Sequence, residues 1–514
     1  MLATALSASL LGLAGTLIRV EVCAVRGVPS FELVGLAEAA VRESRVRVKS
    51  ALAQLGVDIS ECGIVVNLAP ADVRKTGASF DLAIAAATLA ALGRIPVEAL
   101  AGVLFLGELS LSGAVHSARG VLPQLMVARR AGVHRAYVPR YNAAEASLVS
   151  NIETRVVGTL EELFLALKGE RALDLAQPLA PVRESSDAHD LSDVRGQPSA
   201  RRALEICAAG GHHLVMIGPP GSGKTMLARR LPGLLPRPTA DEALEITAIQ
   251  SVVGLLGRSA ALNFERPFRA PHHTVSDVGL VGGGDLPRPG EVTLAHHGVL
   301  FLDELPEFRR SALESLRQPI EDGWVTIARA NGRATFPARP LLVCAMNPCP
   351  CGYFGDASGR CSCTAERVRT YRSRVSGPLV DRIDVHVVLP PVDVGDLSRP
   401  AHGEASLEVR RRVIGAREVQ ARRVLAEETQ ASTNAGLTPR DLERVAALSE
   451  LASNMLAQVA QRLGLSARAY TKVLRVARTI ADLAGAPAIH SEHVAEAVSL
   501  RVLDRGMPPV RAVA

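Results

Sequence analysis

The sequence predicts an α/β protein, in which a central module with a parallel sheet lies between an α+β domain and a helical C-terminal region. Three observations support this fold class. The apolar run Leu214–Ile217 leads through a glycine-rich loop into helix-forming residues. Two later apolar runs, 298–302 and 341–346, each end at polar side chains, as strands of an open parallel sheet do at its carboxyl edge. Serine and threonine N-caps recur between residues 406 and 505.

Length and composition divide the chain into four segments. The 514 residues are long enough for about three domains, and 48% hydrophobic with 21% charged residues is typical of globular protein. Residues 1–167 alternate β-rich runs with helical patterns, residues 168–189 read as a charged linker, residues 190–391 hold the central module, and residues 392–514 hold the helical region. In the helical region we expect N-caps at Ser406, Thr438, Ser466 and Ser491, with Pro439 at a first helical position.

Charge and hydropathy limit the class of protein. The net charge of +6 permits nucleic-acid binding without requiring it. Residues 1–17 are apolar, but no positive charge precedes them, as a secretory signal would need. We find no later run of about 20 apolar residues, the length of a membrane-spanning helix. We therefore expect a cytoplasmic protein with no membrane partner.

Residues 218–225 are the most informative stretch, because they fit the phosphate-binding pattern G-x-x-x-x-G-K-[ST] at every fixed position. In such a loop, backbone N–H groups surround phosphate oxygens at the positive end of a helix. Lys224 would reach the β- and γ-phosphates, and the Thr225 hydroxyl would hold Mg²⁺. The residues predicted to bind the nucleotide in this loop are Gly218, Pro219, Pro220, Gly221, Ser222, Gly223, Lys224 and Thr225.

Two carboxylates and an amide predict that the nucleotide is hydrolysed. The apolar run at 298–302 ends in Asp303 and Glu304. Asp303 is suited to the nucleotide's Mg²⁺ shell, and Glu304 is suited to polarising the attacking water. The run at 341–346 ends in Asn347, which can orient that water. Together with the phosphate loop, these side chains predict an active site at one edge of the sheet.

An insert separates the phosphate loop from the carboxylate pair, and it contains the adjacent His272 and His273. A zinc site takes three or four protein ligands. We find no cysteine or carboxylate near these histidines in the sequence to complete such a set. We therefore expect them to pack in a loop or to contact a substrate.

A β-hairpin is predicted between the strand that ends in carboxylates and the strand that ends in an amide. The β-prone runs 324–329 and 334–336 flank Asn331-Gly332, a dipeptide typical of tight hairpin turns. Arg329 and Arg333 would then lie near the hairpin tip.

Four of the eight cysteines lie close together, as the pairs Cys349-x-Cys351 and Cys361-x-Cys363. Four thiolates in two pairs suit tetrahedral Zn²⁺, and a cytoplasmic protein does not keep such cysteines as stable disulfides. The spacing within each pair is tighter than the usual C-x₂₋₄-C. Reduced free cysteines and a redox pair are therefore the alternatives to structural zinc.

Four motifs give the chain a resemblance to a known family: residues 218–225, 290–304, 347–352 and 379–384. With them, residues 190–510 resemble the magnesium-chelatase-like AAA+ ATPases, and nearly the whole chain resembles the YifB/ComM type of that family. The resemblance implies ATP and Mg²⁺ as cofactors, a helical lid, and a homo-oligomeric ring, a hexamer, with ATP at subunit interfaces. It also implies DNA, single-stranded or branched, as the partner of a helicase or branch-migration motor in recombination of incoming DNA.

The same resemblance implies roles for individual residues. Asn347 resembles the first sensor residue, and Arg382 resembles the arginine finger that reaches a neighbour's γ-phosphate. Arg468 resembles the second sensor on the lid, with Arg475 as its alternative. For Arg382 and Arg468 a surface ion pair is the competing interpretation. The hairpin resembles the pre-sensor hairpin of related ring helicases, which faces the central pore, so its two arginines are predicted to contact DNA.

Residues 1–167 resemble the Lon protease domain in fold, but not in chemistry. Gly77-Ala78-Ser79 matches the segment that carries the Lon nucleophile, whereas the position of the catalytic lysine falls on Leu122. Lys75 matches a lysine that is not catalytic in Lon. A serine nucleophile needs a base within hydrogen-bond reach, and leucine cannot serve. We expect an inactive protease fold that is kept for assembly or substrate contact.

Three other functions compete with a DNA motor. An ATP-dependent protease is disfavoured by Leu122, whereas a protein-remodelling ATPase related to proteases stays an alternative. A metal-chelatase motor subunit fits poorly with the Lon-like domain and the basic hairpin. A non-enzymatic scaffold is disfavoured by the intact pair Asp303 and Glu304.

Overall fold

The computed structural model describes residues 1–36, 38–75, 77, 79–177, 189–256, 262–284, 287–329, 332–355, 359–392 and 403–505. Residues 178–188 of the predicted linker, the hairpin residue Asn331 and Ala78 of the Lon-like segment lie outside the described residues. The described part confirms the α/β fold class. It contains a five-stranded parallel sheet, a helical C-terminal region and an N-terminal domain with a mixed sheet.

The N-terminal domain is a seven-stranded mixed sheet with helices packed on it. Its elements are β1 Leu2–Leu11, β2 Ala14–Arg26, β3 Ser30–Val34, α1 Ala39–Arg42, α2 Ser44–Gln54, β4 Cys62–Ala69, α3 Asp81–Ala91, β5 Val103–Phe105, β6 Glu108–Leu109, β7 Val115–His116, α4 Val121–Arg130, β8 Arg135–Pro139, α5 Ala143–Ala146, β9 Glu153–Val157 and α6 Leu160–Leu167. The strand order is β3-β4-β2-β1-β5-β8-β9. Residues 174–176, from the predicted linker, still pair with β9.

The core of this domain follows from alternation along its long strands. Buried and more exposed residues alternate over much of β1 and β2, which pair antiparallel from Leu2 opposite Cys23 to Leu11 opposite Ala14. Helix α3 is buried along its whole length and packs against both strands. A helix that is apolar on all sides belongs in a core, and this one fills the space under the sheet.

The central module is built on a parallel sheet. Its elements are α7 Pro198–Gly210, β10 Leu214–Ile217, α8 Lys224–Leu234, α9 Ala240–Val253, β11 Phe268–Arg269, α10 Asp277–Val281, β12 Gly282–Gly283, β13 Arg288–Pro289, α11 Glu291–Leu294, β14 Val299–Leu302, α12 Arg310–Ser315, α13 Arg317–Asp322, β15 Trp324–Arg329, β16 Gly332–Pro337, β17 Leu341–Met346, α14 Ala365–Ser373, α15 Gly377–Val380 and β18 Val385–Val388. The sheet order is β11-β14-β17-β10-β18. Strands β10, β14 and β17 are buried at every residue, as strands covered on both faces are.

The C-terminal region, called the lid below, consists of helices. They are α16 Ser406–Leu425, α17 Pro439–Val445, α18 Glu450–Leu463, α19 Ala467–Leu483 and α20 Ser491–Ser499. After α20 the chain returns to the parallel sheet, where Arg501 forms a bridge beside His386 of β18. None of the helices in the described part of the chain is long and apolar enough to cross a membrane.

Two of the four predicted N-caps in the lid are confirmed. The side-chain oxygens of Thr438 and Ser466 each accept a hydrogen bond from the backbone N–H three residues later. The prediction is wrong for Ser406 and Ser491, because each is the first helical residue and not the cap. The Ser406 hydroxyl instead accepts a hydrogen bond from the Leu191 N–H at 2.7 Å, across the contact between lid and central module.

The N-terminal domain packs on the central module in two places. Helix α4 packs against α9, where the Gly120 N–H donates to the Ser251 carbonyl at 3.2 Å. The turn between β1 and β2 packs against the hairpin of β15 and β16. Gly12 in that turn has a φ of +68°, and a Cβ built on it would lie 3.1 Å from the Cβ of Ala334. The N-terminal domain therefore touches the element that is predicted to contact DNA.

Candidate nucleotide site

The phosphate loop, residues 218–223, follows the carboxyl end of β10, and α8 begins directly after it. Gly221 and Gly223 have φ angles of +76° and +87°, which residues with side chains rarely adopt. Gly218 leaves no space for a side chain, because a Cβ there would lie 2.8 Å from the Leu389 carbonyl oxygen. The loop therefore wraps the amino end of a helix, an arrangement suited to binding phosphate oxygens.

Lys224 lies folded back on this loop. Its Nζ donates to the carbonyls of Gly218 and Pro219 at 2.7 and 2.9 Å, and to Asn347 Oδ1 at 3.2 Å. Burial lowers the pKa of Lys224 to about 8, and the carboxylates beyond β14 offset that effect only in part. Phosphate oxygens in the loop would stabilise the charged form of this buried amine. The loop is therefore matched to an anionic ligand.

Asp303 and Thr225 are hydrogen bonded to each other, Thr225 Oγ1 donating to Asp303 Oδ2 at 2.6 Å. Asp303 Oδ1 accepts the Glu304 N–H at 2.9 Å. Glu304 has a left-handed φ of +53°, and backbone strain of this kind concentrates at functional sites. A hydroxyl and a carboxylate beside a phosphate loop are the protein ligands that Mg²⁺ takes together with nucleotide phosphates, so these residues fit the ion.

Glu304 also has a partner that sequence reasoning missed. His273 Nδ1 lies 3.2 Å from Glu304 Oε2, and the His273 ring packs on that of His272 with centroids 4.1 Å apart. One carboxylate does not complete a metal-ligand set, and among the described residues this pair is not part of a group of three or more such ligands. The two residues meet because they follow the carboxyl ends of β11 and β14, which are parallel neighbours. Strand order is a tertiary property, so the sequence contains no direct signal of this contact.

One of the two predicted arginines, Arg382, lies away from the phosphate loop. Arg382 precedes β18 at the amino edge of the sheet, whereas the loop follows the carboxyl edge of the neighbouring β10. Its guanidinium donates to the Pro378 carbonyl at 2.8 Å and pairs with Glu321 of α13. Arg468 is exposed at the start of α19, and its alternative Arg475 donates to a backbone carbonyl of the lid. Arg382 thus forms an ion pair, as the competing interpretation of this residue expects, and it lies away from the phosphate loop of its own chain.

Comparisons with known proteins identify the family. Residues 190–397 match the family described as "Magnesium chelatase, subunit ChlI", residues 20–142 match "Subunit ChlI of Mg-chelatase", and residues 403–501 match "Magnesium chelatase, subunit ChlI C-terminal". Competence protein ComM of Haemophilus influenzae is 42% identical to the chain over 98% of each protein. The chain belongs to the magnesium-chelatase family, in its YifB/ComM type.

Further relatives agree with this assignment. Uncharacterized protein YifB of Escherichia coli is 42% identical to this chelatase-family chain over 96% of each protein. Lon protease 2 of Bacillus subtilis is 31% identical over 167 residues, which cover 30% of this chain and 29% of the protease. The similarity to Lon is thus partial. Membership of this AAA+ ATPase family implies ATP and Mg²⁺ as ligands.

In the fold, the sulfur atoms of the four clustered cysteines lie close together. Cys349 Sγ lies 3.3 Å from Cys351 Sγ and 3.8 Å from Cys361 Sγ, and with Cys363 all four sulfurs lie within 4.8 Å of one another. Tetrahedral zinc with Zn–S bonds of about 2.3 Å needs sulfurs about 3.8 Å apart. The cluster is therefore consistent with zinc.

This cysteine cluster adjoins the nucleotide site. Cys349 comes two residues after Asn347, which bonds to Lys224. Gly352 packs on the phosphate loop so closely that a Cβ there would lie 2.5 Å from Pro220 Cδ. A metal that fixes the cysteine loop would also fix the position of the Asn347 amide and of the phosphate loop.

The predicted hairpin is present. Strands β15 and β16 pair antiparallel, with Arg329 opposite Gly332 and Arg333 opposite Ala328. One face of the hairpin is buried in the module core and consists of Val325, Ile327, Ala334 and Phe336. Arg329 and Arg333 are exposed at the other end of the hairpin. Two guanidinium groups thus lie at the exposed end of a hairpin that is fixed by its buried face.

A second histidine pair was not singled out from the sequence. His296 Nε2 and His297 Nε2 lie 2.8 and 2.9 Å from Glu245 Oε2, a set whose ligand types could suggest a metal. However, His296 Nδ1 accepts the Arg339 N–H at 3.1 Å, so the ring proton is on Nε2 and donates to Glu245. Burial lowers the pKa of His296, which also favours the neutral ring. The set is better explained as a link between α9 and the segment before β14.

The protease-like residues are not arranged for nucleophilic catalysis. Lys75 is buried, and its Nζ donates to the Pro70 carbonyl. Leu122 is buried in the core, and its N–H donates to the Glu145 carboxylate at 2.8 Å. Ser79 therefore has no activating base at either position.

Proposed function

We propose that this chelatase-family ATPase is a ring-forming DNA motor, a helicase or branch-migration translocase that acts on single-stranded or branched DNA in recombination of incoming DNA. The observation that carries the proposal is the β15–β16 hairpin, which is anchored by a buried face and exposes Arg329 and Arg333. Guanidinium groups bind phosphates regardless of base sequence, as a translocating motor requires. The name of the competence protein relative also supports DNA over a porphyrin or a polypeptide.

The nucleotide site supports ATP hydrolysis as the energy source. Lys224 would hold the β- and γ-phosphates, and Thr225 and Asp303 would hold Mg²⁺, whose charge neutralises the phosphates. Glu304 would polarise the attacking water once its carboxylate is free of His273. Asn347, whose amide lies beside Lys224, would orient the same water. Phosphoryl transfer needs little more from a protein than such positioning and charge.

The position of Arg382 supports a ring with shared active sites. One four-residue strand, β10, separates the amino edge of the sheet from the phosphate loop, a length of about 13 Å. The guanidinium is directed to Glu321 and not to its own nucleotide site. We infer that Arg382 serves a neighbouring subunit as an arginine finger, and that the ring is a hexamer. Arg468, exposed on the lid, is our candidate for the second sensor.

The proposal includes two supporting parts. Cys349, Cys351, Cys361 and Cys363 hold a structural zinc that braces the nucleotide site. The N-terminal domain acts as a support for the hairpin and not as a protease, because Gly12 packs on the hairpin while Lys75 and Leu122 leave Ser79 without a base.

The test is a salt titration of binding to single-stranded DNA with the Arg329→Ala/Arg333→Ala variant. Each phosphate contact contributes a slope of about 0.7 in log affinity against log salt, so loss of two contacts should flatten the slope by about 1.4. Affinity should fall similarly for different DNA sequences. A matched control, Arg94→Ala/Arg130→Ala, removes two exposed arginines of the N-terminal domain and should retain the wild-type slope. Equal slopes for all three proteins would count against the hairpin as the DNA contact.

A further inference from the structure

A buried ionic cluster joins the lid to the loop that carries Arg382. Asp384 lies two residues after Arg382, directly before β18, and its side chain is 6% exposed. Asp384 Oδ1 lies 2.9 Å from Nζ of Lys472 on lid helix α19, and Oδ2 lies 3.1 Å from Nδ1 of His212, which precedes β10. Lys472 and His212 are buried as well. Polar groups from three separate elements thus meet in the core at the amino edge of the sheet.

The cluster is electrostatically costly to bury. Burial alone would raise the pKa of Asp384, but Lys472 and the hydrogen bond from His212 outweigh it and hold the pKa below its usual range. Burial also lowers the pKa of Lys472 against the opposing effect of Asp384. Apolar side chains of similar volume stabilise a core as well as a buried ion pair or better. The cluster is therefore better suited to fixing the relative position of two elements than to adding stability.

A second lid residue holds the same loop. Arg501, which follows α20 and is 2% exposed, donates from Nη1 to the Ile383 carbonyl at 2.7 Å. Ile383 is the residue between Arg382 and Asp384. The lid therefore holds the two residues that follow Arg382, one through its backbone and one through its side chain. The segment cannot move independently of the lid without breaking these contacts.

The lid is also tied to the helix behind the phosphate loop. Arg230 of α8 donates from Nε to the Asp190 carbonyl at 2.5 Å. The Asp190 carboxylate accepts, at 3.2 Å, the N–H of Ser406, the first residue of lid helix α16. Helix α8 begins with Lys224 and Thr225. Movement of α8 on nucleotide binding or release would therefore reach the lid, and through the lid the buried cluster.

We propose that Lys472 and Asp384 are positioning residues, which set how Arg382 is presented to the neighbouring subunit according to the position of the lid. The inference rests on the shared-site ring of the proposed function. Neither residue would touch the nucleotide, because both are buried at the amino edge of the sheet. They would act through Arg382. Replacing either residue should therefore impair the Arg382 that the subunit contributes to the neighbouring active site. The phosphate loop of the same subunit should still bind ATP.

Mixing experiments with full-length subunits separate these two effects. Lys472→Met removes the ammonium group and keeps a side chain of similar length. Alone, it should lose at least tenfold in ATP turnover while its ATP affinity stays within twofold of wild type. Mixed one to one with Lys224→Ala subunits, which keep their Arg382, it should recover up to about a quarter of wild-type turnover, because about one interface in four of a random ring then pairs an intact loop with an intact finger. Mixed with Arg382→Ala subunits it should recover nothing.

The controls distinguish failure of the inference from failure of the ring. Arg382→Ala mixed with Lys224→Ala should also recover turnover, and mixed assembly is established by pull-down of tagged subunits. If this control shows no recovery, the shared site and the inference are both overturned. If the control recovers, but Lys472→Met either recovers with Arg382→Ala or does not recover with Lys224→Ala, the inference alone is overturned.

A second variant keeps the test decisive if Lys472→Met does not fold, as judged by circular dichroism. Asp384→Asn/Lys472→Gln replaces the ion pair by neutral side chains that can hydrogen bond. In the same mixtures it should recover with Lys224→Ala and not with Arg382→Ala. Lys472→Arg, which retains the charge, should retain more turnover alone than either variant. Equal loss in Lys472→Arg and Lys472→Met would contradict a role for the ion pair.

Discussion

Binding of ATP should depend on pH through Lys224, whose pKa burial lowers to about 8. In the free protein the amine is then half deprotonated near pH 8, whereas phosphate oxygens in the loop would keep it charged in the complex. Binding therefore takes up a proton above pH 8, and affinity weakens as the pH rises. Between pH 7 and pH 9 the Kd for ATP should increase about tenfold, equivalent to about 1.4 kcal/mol.

Calorimetric titration with a non-hydrolysable ATP analogue and Mg²⁺ measures this effect. Repeating it at pH 9 in two buffers of different ionisation enthalpy counts the protons taken up, and we expect close to one per site. Lys224→Arg is the matched control, because its guanidinium stays charged over this range and should show no proton uptake. A Kd that is constant from pH 7 to pH 9, or an equal pH dependence in Lys224→Arg, would refute the role of a buried amine.

The remaining predictions concern the chemistry, the cysteine cluster and the N-terminal domain. Glu304→Gln should bind ATP with nearly unchanged Kd but lose at least about 100-fold in turnover, because the carboxylate that polarises water is gone. If purified Glu304→Gln protein turns over ATP within threefold of wild type, Glu304 has no role in hydrolysis. Protein purified without chelator should contain close to one zinc per chain by elemental analysis. Cys349→Ser/Cys361→Ser should lose both the metal and most ATP turnover, since the cluster lies against Asn347 and Pro220. A fully active, metal-free protein would contradict the structural zinc. Gly12→Val should weaken DNA binding at least threefold, because a Cβ at this position would lie only 3.1 Å from Ala334 and 3.2 Å from Phe336 and would press on the hairpin, whereas Gly56→Val has a similar φ of +74° but open space around it and should bind DNA like wild type. Equal affinities for the two variants would argue against support of the hairpin by this turn. Ser79→Ala should leave ATP turnover and DNA binding unchanged, and a protein-cleaving activity that disappears in this variant would restore the protease alternative.

The sequence was most informative where local chemistry alone determines structure. The strands at Leu214–Ile217 and Leu341–Met346 are found at the predicted bounds, because short apolar runs between polar residues can form few other elements in an α/β sheet. The pairing of β15 with β16 and the N-cap at Thr438 likewise have signals in the local sequence. Tight turns and caps use hydrogen bonds within a few residues, so their signals are local.

Contacts made by the tertiary fold were not predictable in this way. Ser406 appeared to be an N-cap, but its hydroxyl is used by Leu191 from the start of the central module. The contact of His273 with Glu304 depends on strand order. In each case the two residues are distant in sequence and meet only after separate elements have packed. The pairing of Asp384 and Lys472 is of the same kind, since it joins a sheet edge to a lid helix.

If ATP hydrolysis drives movement on DNA, DNA should change the rate of hydrolysis, so the decisive measurement is ATP turnover with and without DNA. Purified protein should be assayed alone and with single-stranded, duplex and branched DNA, together with Glu304→Gln to exclude a contaminating ATPase. We predict stimulation of turnover by single-stranded or branched DNA, with strand displacement or branch movement that requires hydrolysable ATP and is absent in Glu304→Gln. Turnover that responds to none of these DNAs, and DNA structures that are unchanged in the presence of ATP, would contradict a DNA motor.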